Sequence, residues 1–86
     1  MGRCIVKLAD DKYIEWSSGV DAPISAVMSR NAMKKFGVTE DRLTRADTYG
    51  TSLLDYDGNA IDYVSGNRAG EHETELTLEE IIEKYT

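Results

Sequence analysis

The ten residues from Trp16 to Ser25, WSSGVDAPIS, separate two kinds of hydrophobic pattern. Before them apolar residues alternate at a period of two. After them apolar residues recur at helical spacing. Ser17, Ser18, Gly19, Asp21 and Pro23 are turn and cap residues, so a hairpin must hand the chain over to a helix here. The segment also holds the only tryptophan and the only proline.

Upstream, Cys4, Val6 and Leu8 alternate with Arg3, Ile5 and Lys7, the signature of a half-buried strand. Ala9 to Lys12 reads as a polar turn, and Tyr13 to Trp16 as a second strand. The inner face of this hairpin is then Cys4, Val6, Leu8, Ile14 and Trp16. A two-stranded hairpin is marginal by itself, so it needs a helix or a second copy against it.

Downstream, a first helix can start near Pro23 or at Ser29. The breakers between Ser17 and Ser25 favour Ser29 as N-cap, with residues 20–28 extended. Met33 and Phe36 would face inward, and Gly37 would end the helix. Thr39 caps the next helix, and Glu40 and Asp41 complement its N-terminal dipole. Leu43 and Ala46 line its buried side, Arg42 and Arg45 project, and Gly50 closes it. Residues 51–66 admit two readings. Asp57-Gly58 could turn a hairpin, or Asn59 could cap a short helix carrying Ile61 and Val64. The helix is favoured, since those two residues fit one turn. Thr77 with Glu80 is a capping box, with Leu76 and Ile81 as its staple. Leu78, Ile81, Ile82 and Tyr85 then give a C-terminal helix with one docking face. The expected fold is α+β: an N-terminal antiparallel β-hairpin packed with three to four short helices, the last one capped, in a single domain over residues 1–86.

Size and charge narrow the function classes. A chain of 86 residues buries only about 60–65% of its unfolded surface, so its core is thin. Cys4 is alone and His72 is the only histidine, so neither a disulfide nor a tetrahedral zinc site can reinforce it. A homodimer or higher homo-oligomer is the expected remedy. A lone cysteine in an apolar strand reads as a small buried hydrophobe and fits a reducing cytoplasm. Sixteen acidic residues against ten basic ones give a net charge of −6, which argues against a binder of nucleic acid duplexes. An acidic mimic of nucleic acid stays open. Apolar runs are too short to span a membrane, and the N-terminus shows no secretory h-region.

Candidate chemistry is sparse. Asp55-Tyr56-Asp57-Gly58-Asn59 resembles the start of a calcium loop, but Ala60 and Gly66 stand where its glycine and glutamate belong. His72 has no nucleophile or metal-ligand partner at a telling spacing. No phosphate-cradling glycine motif is present. Asn67-Arg68-Ala69-Gly70 is different: an arginine fork and free backbone N–H groups near a helix start suit a phosphate. Its plainer reading is a turn with a solvated Arg68. Trp16 could stack on a base or fill the hairpin core, and core filling is the commoner use. No catalytic residue, cofactor or metal site is therefore expected.

Three stretches carry a family likeness. They are Glu15-Trp16-Ser17-Ser18 with Val20-Asp21-Ala22-Pro23, Arg42-Leu43-Thr44-Arg45-Ala46 with Gly50-Thr51-Ser52, and Asn67-Arg68-Ala69-Gly70 with the run Leu76 to Tyr85. In this order the chain resembles small phage proteins, and in particular the first-described phage anti-Thoeris family. The resemblance implies a sponge in the host cytoplasm. Such proteins sequester the cyclic ADP-ribose-type signal of a bacterial TIR enzyme without cleaving it, and some hold cyclic oligonucleotides at a separate site. The chain departs from the family pattern in its middle, where the helical segment between Pro23 and Gly50 is short. On this likeness Arg42, Arg45, Arg68 and Lys84 would meet phosphates, Trp16 or a tyrosine would stack on the base, and Asn67 and Thr51 would fix orientation. The rival expectation is an acidic protein–protein inhibitor or nucleic-acid mimic that blocks a defence effector.

Overall fold

The computed structural model describes residues 3–86 and has the expected α+β architecture. β1 (Arg3–Ala9) and β2 (Lys12–Ser17) pair antiparallel, with Cys4 opposite Trp16 and Val6 opposite Ile14. The connecting turn places Asp11 at a φ of 53°, a left-handed conformation that aspartate tolerates better than most residues. A two-residue strand, β3 (Ala22–Pro23), lies antiparallel to β2, Trp16 facing Pro23. Proline is admissible there because β3 is an edge strand. Chain 22–28 continues along β2. Ile24 N–H donates to Glu15 O, and Tyr13 and Met28 exchange two backbone bonds of 2.8 Å. The segment expected to be extended is therefore an irregular third strand.

The helices follow their caps. The Ser29 side chain accepts from Ala32 N–H and starts α1 (Arg30–Lys35); the start near Pro23 is not used. Thr39 accepts from Arg42 N–H and starts α2 (Glu40–Tyr49), which Gly50 closes at a φ of 86°. Thr77 and Glu80 complete a reciprocal capping box at the start of α3 (Leu78–Tyr85).

The sheet is covered on both faces, not one. Cys4, Val6, Leu8, Ile14 and Trp16 meet Ile81 of α3, with Tyr63, Val64, Leu76, Ile82 and Tyr85 packed around them. On the opposite face Ile5 and Tyr13 meet Met33, Val38, Leu43 and Ala46 of the α1–α2 side. Ile5, assigned to the outer face by its alternation, is fully buried. Phe36 is 68% exposed instead of facing inward. α1 stops at Lys35, so Phe36 falls on the C-cap, and Val38 fills the core position.

Residues 51–66 form no helix. Thr51 and Ser52 run beside β1: Ser52 N–H donates to Ile5 O, and Ile5 N–H donates to Ser52 Oγ at 2.9 Å. Asp55 Oδ1 accepts from the N–H groups of Asp57 and Asn59, and one bridge joins Leu54 to Ala60. Asp62 accepts from Val64 N–H, Ser65 N–H and Ser65 Oγ. These aspartates bond the backbone locally and outcompete the helical turn inferred from Ile61 and Val64.

Candidate functional site

The three stretches that carry the likeness meet near the Cys4–Trp16 end of the sheet. Arg68 N–H donates to Asp21 O at 2.8 Å, tying the Asn67–Gly70 loop to the turn after Trp16. From the other edge, Thr51 lies beside the Cys4 thiol together with Tyr63, and the Arg42 charge acts on that thiol. Burial, the largest influence, pushes the Cys4 thiol above its ordinary pKa. Cys4 is thus a neutral packing group, not a nucleophile.

Trp16 is completely buried. Its ring faces are occupied by the core, so it has no face for a base, and the stacking role assigned to it is corrected. Asn67 is 2% exposed, and both ends of its amide are used. Its Oδ1 accepts from Ala69 N–H and Leu76 N–H, and its Nδ2 donates to Val64 O and Leu76 O. It therefore builds the loop and has no amide group left to read a ligand.

That loop holds Arg68 outward. The Arg68 side chain is 57% exposed and pairs only loosely, at 3.9 Å from Asp21 and 3.8 Å from Glu73. Lys84 supports the loop from α3, its Nζ donating to Ala69 O at 2.6 Å. Gly70 permits the close return of the chain: a Cβ there would sit 2.2 Å from Thr74 O. The next turn holds His72 and Glu73 at positive φ, an unusual conformation for two successive non-glycine residues.

Arg45 is paired with Asp41 one helical turn earlier, at 3.6 Å. Arg42 is half-buried near Cys4. None of Arg42, Arg45 and Arg68 lines any of four surface clefts among the described residues. Thr51, 3% exposed, does border one, and Lys84 borders two others.

The Thr51 cleft is the most enclosed of the four and has a volume of about 270 Å³. Lys7, Tyr49, Ile61, Asp62 and Tyr63 also line it. Sequence reasoning passed over these residues individually. The one available signal was the position of Tyr49, directly before Gly50-Thr51-Ser52.

At the opposite end of the sheet lies an ion-pair network. Asp47 accepts the Tyr13 hydroxyl and pairs with Lys7 at 3.4 Å and Arg30 at 3.1 Å. Arg30 and Lys34 each reach Glu40 at 2.8 Å. The hydroxyl of Tyr13 holds the Asp47 carboxyl below its ordinary pKa, and Arg30 with Lys34 lowers Glu40 to about 2. Tyr13 is pushed up to about 12 by burial first and by Asp47 second. This network joins β1, β2, α1 and α2 and is structural.

Among the described residues no group of three His, Cys, Asp or Glu could hold a metal ion. None of their helices is long and apolar enough to cross a membrane. No family model matches the chain, and neither a curated protein nor a solved structure matches it significantly.

Proposed function

We propose that this chain is a non-catalytic binding protein that sequesters a cyclic ADP-ribose-type signal in the cytoplasm of an infected host. The observation that carries the reading is the junction of the three motif stretches at one end of the sheet. There Arg68 is held outward by Asn67 and Lys84, with only loose ion pairs to displace. A guanidinium so placed can exchange a distant carboxylate for a phosphate with two parallel bonds. The chain acts as a homo-oligomer, the remedy that its thin core calls for.

The test is direct. The protein is incubated with cyclic ADP-ribose, freed of unbound nucleotide by gel filtration and heat-denatured, and the released nucleotide is identified. Recovery of unaltered cyclic ADP-ribose supports sequestration. An altered product would mean hydrolysis, and absence of retained nucleotide would remove the reading. In calorimetry, Arg68→Ala should weaken binding by about 1.5–3 kcal/mol through loss of a charge-assisted bond, with the denaturation midpoint unchanged. Equal affinity would take Arg68 out of the site.

A second reading rests on the distribution of charge. Residues 51–86 carry nine acidic side chains against Arg68 and Lys84, a net −7. Residues 1–50 carry seven acidic and eight basic, a net +1. An acidic half of this kind suits an inhibitor of a basic, nucleic-acid-binding effector. Salt-sensitive capture of such an effector, with no nucleotide retained, would favour it.

A further inference from the structure

The Thr51 cleft has features that the motif stretches do not explain. Three of the large apolar side chains left exposed by the fold line it: Tyr49 at 47%, Leu78 at 39% and Ile61 at 36%. Its charged residues are two and of opposite sign, beside the hydroxyls of Thr51 and Tyr63. Lys7 lines it from β1, with its Nζ 5.9 Å from the centroid of the Tyr13 ring, and Asp62 lines it from the loop facing it. Lys7 Nζ is 3.4 Å from Asp47, a long contact that leaves other N–H donors free. Asp62 Oδ1 caps two backbone N–H groups and is fully used, whereas Oδ2 accepts only from Ser65 Oγ and can accept one further bond.

We infer that this cleft is a nucleoside-phosphate subsite, in which a base lies against Tyr49, one ribose hydroxyl donates to Asp62 Oδ2 and the phosphate meets Lys7. The inference rests on the reading of a nucleotide ligand and gives the base the place that buried Trp16 cannot provide. A volume of about 270 Å³ falls just under the ~300–1,000 Å³ of sites for drug-sized molecules. It suits one nucleoside phosphate unit and not a complete dinucleotide. An aromatic wall with a cation at one end and a carboxylate at the other also matches a nucleotide better than a lipid or an acidic peptide. The base would stack on an exposed ring, and the pairing of opposite charges would fix its direction in the cleft.

The experiment uses the full chain, labelled with nitrogen-15, and two probes: adenosine 5′-monophosphate and cyclic ADP-ribose. Both should shift the amide signals of Gly50, Thr51 and residues 60–64. Tyr49→Ala should reduce affinity for the monophosphate at least tenfold without changing the melting temperature, and Tyr49→Phe should restore it. If cyclic ADP-ribose binds but its shifts are confined to the Asn67–Gly70 loop, the subsite is overturned while sequestration stands. If neither probe binds, both fall. If the monophosphate binds with unchanged affinity to Tyr49→Ala, the base lies elsewhere and the subsite is overturned.

Discussion

The indole of Trp16 is enclosed by Cys4, Val6, Ile14 and Ile81. Its fluorescence should therefore be that of a buried ring, inaccessible to iodide, and cyclic ADP-ribose should leave it unquenched. Quenching by direct stacking would require the side chain to leave the core. Asn67 presents the opposite surprise, a polar side chain buried because every one of its bonds is made. Asn67→Ala removes partners from two N–H and two C=O groups at once. It should destabilise the fold by about 2–3 kcal/mol, since buried backbone groups lose their bonds, read as a lower urea midpoint. Gly70 is needed for space, not for an unusual φ. The atom a Cβ would strike belongs to the Thr74 backbone, which cannot move aside as a flexible side chain would. Gly70→Ala should cost about 1–3 kcal/mol by overpacking, visible as a lower melting temperature.

Among the elements, α3 is the clearest. It has eight residues, too few to be stable as an isolated helix. Two features hold it: the capping box at its start and Ile81 in the core. Thr77→Ala should reduce stability by about 1 kcal/mol, while the Glu80 carboxyl should stay below its ordinary pKa, because the backbone N–H of residue 77 that chiefly lowers it is kept in the variant. An unshifted denaturation midpoint would contradict this role. The position of α3 also matters for the loop before it, because Lys84 bonds Ala69 O and Leu76 bonds Asn67. Loosening the helix should therefore loosen the loop that presents Arg68.

At the scale of the molecule, the three-stranded sheet separates two small cores, and a charge network closes one side. The lowered pKa values of Glu40 and Asp47 give a stability contribution that is complete above the ordinary carboxylate range. It is lost as pH falls through the folded values, that of Glu40 being about 2. Arg30→Ala should flatten the stability–pH curve over roughly pH 4.5 to 2. Tyr13 behaves oppositely. Its raised pKa contributes fully below pH ~10, the ordinary tyrosine value, and is lost as pH rises toward about 12. Tyr13→Phe should remove that alkaline decline. Denaturant titrations across both windows check these signs.

Local chemistry alone determined the two strands, the N-caps at Ser29, Thr39 and Thr77, and the closing glycines Gly37 and Gly50. Each depends on bonds within a few residues of itself, which a sequence displays. The same local view failed at Ile5, since alternation cannot reveal that a second layer of helices covers the outer face. It failed at residues 51–66, where Asp55 and Asp62 bonded the backbone before Ile61 and Val64 could form a turn. It failed at Trp16 and Asn67 for a related reason: an aromatic ring or an amide looks alike in sequence whether it faces a ligand or its own fold. Tertiary packing decided which polar groups were already satisfied and which were left facing outward. It brought Lys7, Tyr49 and the adjacent pair Asp62-Tyr63 from three distant parts of the chain around one cleft.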